Sequence, residues 1–216
     1  MTNRELEGTT LMAETPTLDP RHTVLLVMDY QNGIVASLGD PEKALAKTAE
    51  AIALVRASGG TIGYVRVAFT DDDYAAIPAT SAMARAATPE RRAALHVDSP
   101  ATAIHDRLAP EPGDIIVRKT RVGAFSTTDL DRQLRDAGIT TLILAGLSTS
   151  GVVLSTIRDA ADRDYGLVVL ADACADPAPG VHDFLVEKIF ARMAHISTTD
   201  DLADLLSTTA GRGQGA

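Results

Sequence analysis

The chain has 216 residues, of which 45% are hydrophobic and 23% charged, and its formal net charge is -9. This balance is typical of a globular protein and excludes wholesale disorder, and the length favours one compact domain. No run of Lys and Arg could follow a phosphate backbone, no apolar stretch approaches the ~20 residues of a membrane span, and the single cysteine excludes an intramolecular disulfide. We therefore predict a cytoplasmic protein that contacts neither nucleic acid nor membrane.

The two ends of the chain differ from its middle in composition. Residues 1–20 are mostly polar, carry Pro16 and Pro20, and show no sustained hydrophobic period. We predict that they form an extension ahead of the domain. The domain itself is predicted to cover residues 21–210, and residues 211–216 to form a flexible tail.

Apolar runs and amphipathic segments alternate through most of the chain. The first run, 24–28, is continuously apolar, which is typical of a strand buried on both faces of a parallel sheet. The predicted strands cover residues 24–28, 61–69, 115–117, 141–145, 167–170 and 195–197, and the predicted helices cover 41–58, 128–137, 151–163, 181–190 and 200–206. This alternation predicts a doubly wound α/β fold with right-handed crossovers.

Residues 71–112 lack a clear hydrophobic period. Five prolines and many alanines interrupt the segment, so we predict short helices and loops there. We expect the segment to supply a pocket wall and to act as a lid.

Three features stand where predicted strands end: Asp29, Lys119 and a tight turn that begins at Gly146. In a doubly wound sheet, ligands bind beyond the carboxyl ends of the strands. An aspartate there is most often a helix cap or turn former, and a loop lysine is most often a solvated charge. Their joint placement beside a glycine-led turn favours a shared crevice. No GxGxxG, GxxxxGKS or GxxxxGKT motif follows a strand, so a dinucleotide or P-loop site is not expected.

Three segments carry a resemblance to a known family. They are 27–32 (VMDYQN), then Lys119 followed by 123–125 (GAF) and 128–130 (TDL), and finally 145–153 (AGLSTSGVV) continuing into 155–156 and 158–160. Their order and spacing resemble the isochorismatase-like, or cysteine hydrolase, superfamily. The resemblance implies a three-layer sandwich with a mainly parallel six-stranded sheet, a small-molecule substrate and a homo-oligomer.

Members of that family use an aspartate, a lysine and a cysteine as catalytic residues. The first two correspond to Asp29 and Lys119, and the nucleophile position corresponds to Val152, six residues beyond Gly146. A valine has no nucleophilic atom, so the resemblance implies a member that lacks the nucleophilic cysteine and forms no acyl-enzyme. Cys174 lies after the next predicted strand and is interpreted as a small buried hydrophobe.

The resemblance also implies an oxyanion site in the turn after the fourth predicted strand. A cis peptide bond is expected at Leu147-Ser148, with backbone N–H donors at Ser148 and Val152. Losing one such donor typically costs ~3 kcal/mol of transition-state stabilisation. Gln31, Phe69 and Phe125 are further candidates for the pocket.

Other chemistries have weaker support. A serine nucleophile such as Ser148 or Ser150 would need a neighbouring histidine, and the five histidines are scattered through the sequence. Asp71, Asp72 and Asp73 follow the second strand, where some nicotinamidase relatives hold a metal, but three adjacent aspartates are more typical of a solvated loop. We therefore expect no metal and no cofactor.

Isochorismatases are the branch of the family that works without a cysteine nucleophile and hydrolyses a vinyl ether with the aspartate as proton donor. That branch usually carries a Tyr-Ala-His run where this chain has 148–150 (STS), so the resemblance does not identify the substrate. We predict a hydrolase for a small carboxylate-bearing substrate, with Asp29 as general acid and base and Lys119 holding a carboxylate or stabilising negative charge. The alternative is a catalytically inactive member that serves as a binding or assembly module.

Overall fold

A computed structural model describes residues 16–207 of the chain. Residues 1–15 of the predicted extension and all of the predicted tail, 211–216, lie outside the described residues. Leu18 falls within the predicted extension, and it is buried with its backbone N–H donating to the carbonyl of Leu205 at 2.8 Å. The domain boundaries stay a prediction.

The sheet contains six strands, all parallel. They are β1 (Thr23–Met28), β2 (Thr61–Val67), β3 (Ile115–Lys119), β4 (Thr141–Leu147), β5 (Gly166–Ala175) and β6 (His195–Ser197). Their order across the sheet is β3-β2-β1-β4-β5-β6, so the chain reverses its winding direction between β1 and β4. The predicted doubly wound six-stranded fold is confirmed.

Helices cover both faces of this sheet. The α-helices are α1 (Asn32–Ala36), α2 (Glu42–Ala57), α3 (Asp71–Ala75), α4 (Ala82–Ala86), α5 (Pro89–Ala94), α6 (Leu130–Asp136), α7 (Leu154–Ala161), α8 (Val181–Phe184) and α9 (Leu202–Leu205). Two π-helical turns cover Thr149–Val153 and Leu185–Ile189, and 3-10 helices cover Pro20–His22, Pro100–Thr102, Asp106–Leu108 and Phe190–Arg192. In the part of the chain that the structure describes, no helix is both long and apolar enough to cross a membrane.

Alternate side chains of β1 enter two separate cores. Leu26 and Met28 pack with α6 and α7 on one face of the sheet, whereas Leu25 and Val27 pack with α2 and α9 on the other. Successive side chains of a strand point to opposite faces, so a strand between two helical layers must be apolar throughout. All six residues of β1 are buried, which explains the continuous apolar run in the sequence.

The structure differs from the sequence prediction at β5, which extends beyond 167–170 to Ala175. The pairing of β4 with β5 shifts register between Leu144 and Gly146, and Cys174 pairs with Gly146. This irregularity lets the strand continue through a less apolar stretch that an alternation rule does not recognise. Cys174 therefore lies within a strand, and its interpretation as a buried residue is confirmed.

The elements around the predicted site also differ in detail. The predicted turn begins after Leu147 because β4 continues through Gly146, and the predicted helix 151–163 is a π-helical turn followed by α7. The short helix α1 was not predicted, whereas residues 71–112 contain the predicted short helices, α3 to α5.

Candidate active site

The carboxyl ends of β1, β3 and β4 meet at one edge of the sheet. Asp29 directly follows β1, and Lys119 ends β3, with β2 lying between these two strands. On the other side of β1, Met28 is in register with Gly146 of β4. The site therefore lies at the point where the winding of the sheet reverses, which is where ligands bind in doubly wound folds.

Asp29 and Lys119 form a buried ion pair at this edge. The Lys119 Nζ atom lies 2.9 Å from Asp29 Oδ2, and the two side chains are 3% and 8% exposed. Lys119 Nζ also donates to the backbone carbonyls of Arg121 at 3.2 Å and Val122 at 3.0 Å. An ammonium group has three N–H donors, so each donor of Lys119 has an acceptor within the protein.

Asp29 has an unusual backbone conformation and an incompletely bonded side chain. Its φ of 59° lies in the left-handed region, which residues other than glycine rarely adopt and which is enriched at functional sites. The flanking backbone holds this conformation, because the Asp29 N–H donates to Val65 and its carbonyl accepts from Gln31, both at 2.8 Å. The buried Oδ1 atom of Asp29 has no hydrogen-bond partner among the described residues.

The environment of Asp29 changes its acidity. Burial raises the pKa of the Asp29 carboxyl group to about 6, and the attraction of the Lys119 ammonium opposes this rise only in part. Asp29 therefore holds a proton at a pH where an ordinary aspartate is fully ionised.

The turn after β4 brings backbone and small side chains to the same edge. The predicted cis peptide bond at Leu147-Ser148 is confirmed. Ser148 Oγ accepts the N–H of Gly151 at 3.1 Å and caps the π-helical turn that follows. Val152 lies in this turn, is 2% exposed, and packs in the core on the α6 and α7 face of the sheet. Its identity as the nucleophile position, and the oxyanion role of the turn, stay predictions.

A cavity of about 840 Å³ opens over these residues, a volume typical of small-molecule sites. Asp29, Lys119, Leu147, Ser148 and Val152 all line it. The segment between β2 and β3 supplies much of the remaining wall, as predicted, through Tyr74, Ala82, Met83, Ala86, Ala87, Arg91, Ala94, Leu95 and Ala101. A lid motion of this segment stays a prediction.

The three further pocket candidates have different positions. Phe69 lines the cavity, whereas Gln31 and Phe125 do not. The Gln31 side chain instead binds the backbone N–H and carbonyl of Val67, at 2.8 and 2.9 Å, and so fixes the end of β1 against β2. Phe125 is buried in the core and stacks on Tyr165 with ring centroids 6.1 Å apart.

The aspartates after β2 have a structural role in the described part of the chain. Asp71, Asp72 and Asp73 form the first turn of α3, where Asp73 forms a capping box with Thr70 and binds Arg118 at 2.6 Å. Among the described residues, no group of three or more His, Cys, Asp or Glu side chains could hold a metal ion.

Two features of the site were not predicted from the sequence. Arg91 and Arg121 line the cavity beside Lys119. Thr149 Oγ1 lies 2.9 Å from His182 Nδ1, which links the turn after β4 to α8. Local residue spacing does not indicate either feature, because each brings together segments that are far apart in the chain.

Comparison with known proteins identifies the family of the chain. The isochorismatase domain family matches residues 23–201. The chain is 31% identical to the isochorismatase family protein YwoC of Bacillus subtilis over 193 residues, 89% of this chain and 98% of that protein. It is 34% identical over 183 residues to the ureidoacrylate amidohydrolase RutB of Methylobacterium radiotolerans, 75% of this chain and 70% of that protein.

A solved structure gives the same result for the fold. An isochorismatase family protein of Burkholderia thailandensis has a TM-score of 0.78 at 31% identity, covering 90% of this chain and 100% of that chain. The matched residues include the whole strand-end edge from Asp29 to the turn after β4. The chain therefore belongs to the isochorismatase family of hydrolases, which act on small molecules.

Proposed function

We propose that this chain hydrolyses a small carboxylate-bearing substrate without a covalent intermediate, with Asp29 as the general acid and base. The observation that supports this most is the buried pair of Asp29 and Lys119 on the wall of a substrate-sized cavity. Asp29 Oδ1 has no hydrogen-bond partner among the described residues, so no contact within the described protein competes for the proton on this oxygen.

The raised pKa of Asp29, about 6, keeps a fraction of this carboxyl group protonated near neutral pH and so allows it to donate a proton there. For a vinyl ether, Asp29 gives its proton to the terminal carbon of the double bond. Water then adds to the resulting cation and returns a proton to the Asp29 carboxylate. As the ether C–O bond of the adduct breaks, the proton of the new hydroxyl group passes to the leaving oxygen, which releases a ketone and an alcohol. The reaction consumes one water molecule and no net proton.

Lys119 acts on Asp29 in this scheme. Its ammonium lies 2.9 Å from Asp29 Oδ2 and so stabilises the carboxylate that forms when the proton leaves. The carbonyls of Arg121 and Val122 hold the ammonium in place. The pair therefore keeps its geometry through both proton transfers.

The surroundings of the nucleophile position favour a mechanism without a covalent intermediate. Val152 carries no nucleophilic atom, and the Ser148 hydroxyl is already an acceptor for the Gly151 N–H. Thr149 does contact His182, but Thr149 is fully buried and does not line the cavity. Water is therefore the proposed attacking group, with Asp29 protonating the substrate or activating the water.

A relative supports the substrate class. RutB of Methylobacterium radiotolerans is named a ureidoacrylate amidohydrolase, and an acrylate is a small carboxylate. We include small carboxylate amides beside vinyl ethers as candidate substrates of this chain for that reason.

The experiment is turnover of isochorismate and a panel of small carboxylate amides by wild type and Asp29→Asn. We expect the variant to lose about 100-fold or more of the rate, the usual contribution of a general acid. The wild-type rate on isochorismate, the vinyl ether, should also fall as the pH rises through about 6, because the protonated form of Asp29 disappears.

The matched control is Asp73→Asn. The Asp73 carboxylate binds Arg118, which directly precedes Lys119, but Asp73 does not line the cavity. This variant should retain the wild-type rate. Equal rates for wild type and Asp29→Asn on every substrate that is turned over would overturn the proposal.

A second candidate function is a catalytically inactive binding or assembly module. The buried side chain of Val152 favours it, because an apolar group fills the space of a nucleophile. This candidate predicts that wild type and Asp29→Asn bind members of the panel equally and turn none of them over. Equilibrium binding measured beside turnover separates the two functions.

A further inference from the structure

The charge of the cavity is opposite to that of the chain. The chain carries a formal net charge of -9, yet the residues lining the cavity include one carboxylate, Asp29, and three cations, Lys119, Arg91 and Arg121. Because Asp29 and Lys119 pair with each other, the two guanidinium groups give the cavity a net positive charge. A positive cavity in an acidic protein favours an anionic ligand.

Lys119 is poorly placed to bind that anion directly. Its three N–H donors already meet Asp29 and the carbonyls of Arg121 and Val122. A ligand carboxylate on Lys119 would have to displace one of these buried acceptors. The two arginines are the cavity-lining cations whose N–H donors are available for a ligand.

Arg91 and Arg121 come from separate segments, α5 and the loop after β3. Neither has a carboxylate within salt-bridge distance among the described residues. One amino group of Arg121 donates to its neighbouring backbone carbonyl, Thr120, at 2.6 Å, which leaves most of its five donors available.

The adjacent arginines are occupied by contacts within the protein. Arg92 lies over the ring of Tyr74 at 4.5 Å, and Arg118 binds Asp73. Among the described residues, Arg91 and Arg121 are the arginines that line the cavity. The planar guanidinium group of an arginine matches a carboxylate in shape and charge.

The remaining wall determines what the carboxylate is attached to. Phe69 and Tyr74 stack with ring centroids 4.7 Å apart, and both line the cavity together with Met83 and Leu95. Such side chains bind an apolar or unsaturated body and exclude a strongly hydrated one. This favours an organic carboxylate over inorganic or sugar phosphates.

We propose that Arg91 and Arg121 form a carboxylate subsite that selects substrates with one carboxylate on an apolar body. The inference rests on the proposed function only in placing the reacting bond at Asp29. The two residues are specificity-determining groups and take no part in the proton transfers.

The experiment is calorimetric binding of cinnamate and its neutral counterpart cinnamamide, with phenyl phosphate as a third probe. Wild type should bind cinnamate about tenfold or more tightly than cinnamamide, as charged hydrogen bonds typically provide. Arg91→Gln and Arg121→Gln should each weaken cinnamate binding by about tenfold and leave cinnamamide binding unchanged.

Arg85→Gln is the matched control. Arg85 lies on the neighbouring helix α4, donates to the Thr80 carbonyl, and does not line the cavity. This variant should bind both probes like wild type. Arg91 is exposed, so Arg91→Gln should keep the wild-type unfolding midpoint even if Arg121→Gln does not.

Several results would overturn the subsite. They are equal binding of cinnamate and cinnamamide by wild type, no binding of either at millimolar concentration, tighter binding of phenyl phosphate, or equal effects of Arg91→Gln and Arg85→Gln. Binding does not require turnover, and Asp29→Asn should keep the preference for cinnamate. Loss of the proposed function therefore leaves this inference standing, and the reverse is also true.

Discussion

Asp29 couples the stability of the protein to pH in an unusual direction. Burial raises its pKa from the ordinary 3.8 to about 6 in the folded state, so the unfolded chain releases this proton at lower pH than the folded protein does. The contribution of Asp29 is therefore fully present below pH 3.8 and is lost as the pH rises to about 6. Relative to Asp29→Asn, which cannot titrate, wild type should lose free energy of unfolding across this range and then level off.

Urea unfolding of both proteins at a series of pH values measures this difference. Asp73→Asn serves as a control of opposite sign, because the Thr70 backbone N–H and the Arg118 guanidinium lower the pKa of Asp73. The advantage of wild type over Asp73→Asn should shrink as the pH falls. A difference between wild type and Asp29→Asn that stays constant from pH 3.8 to about 6 would show that folding does not raise the pKa of Asp29.

Val152 offers a second test at the scale of single residues. Val152→Cys keeps a hydrophobic side chain of similar size, so the free energy of unfolding should change by less than about 1.5 kcal/mol. Because Val152 lines the cavity, the introduced thiol should react with iodoacetamide. Cys174 is the internal control, since it does not line the cavity and burial raises its pKa to about 12.

Intact mass after labelling should show one adduct on Val152→Cys and none on wild type. An adduct on wild type would mean that Cys174 is accessible. An unlabelled variant would mean that position 152 does not face the cavity.

The positions of the candidate site residues could be predicted in part from the sequence. The positions of Asp29 and Lys119 could be predicted because parallel strands place their carboxyl ends at one edge of the sheet. A polar residue directly after an apolar run therefore has a known location. The position of Arg91 in the cavity wall could not be predicted, because Arg91 lies in a segment without a hydrophobic period. Nothing local in the sequence indicates which face of α5 meets the cavity.

At the scale of elements, the strands were predicted better than the helices beside the site. A strand buried on both faces leaves a continuous apolar run, which β1 and β4 show clearly. The π-helical turn Thr149–Val153 and the extension of β5 to Ala175 depend on contacts between distant segments. Hydrophobic spacing therefore predicts that a strand or helix is present but does not predict its boundaries.

The close packing of β4 against the turn that follows it gives a prediction for Gly146. A Cβ atom added there would lie 2.9 Å from Val153 Cγ2 and 3.2 Å from Met28 Cβ, both fully buried residues. Gly146→Ala should therefore lower the free energy of unfolding by about 1–3 kcal/mol, as overpacking of a core typically does. Chemical denaturation measures the change.

Gly39→Ala is the matched control, because an added Cβ atom at the exposed Gly39 meets nothing within 4 Å. Its free energy of unfolding should stay within about 0.5 kcal/mol of wild type. Equal stability of the Gly39→Ala and Gly146→Ala variants would mean that β4 and the turn are not packed this closely.

At the scale of the whole molecule, the two-sided core explains why the fold could be predicted from pattern alone. Helices on both faces require apolar strands, and alternating strands and helices permit few topologies. The cavity wall between β2 and β3 is different, since α4 and α5 have no buried residues and so impose no pattern on the sequence. That wall supplies much of the cavity lining, which is why the fold is easier to predict than the ligand.

Exposed hydrophobic side chains on the surface of the molecule are candidate contacts for the homo-oligomer that the family resemblance implies. Ile116, Val122 and Phe184 are the large hydrophobic residues exposed in the described part of the chain, and Phe184 is the most exposed at 58%. Burying one such ring contributes about 1.5–3 kcal/mol, so an interface built on α8 should depend strongly on it.

We expect sedimentation equilibrium to give a multiple of 22.7 kDa for wild type. Phe184→Ser should weaken association by about tenfold or more, whereas Ile116→Ser on the edge strand β3 should leave it unchanged. A mass of 22.7 kDa for wild type at every concentration would contradict an oligomer, and the reverse order of the two variants would place the contact on β3.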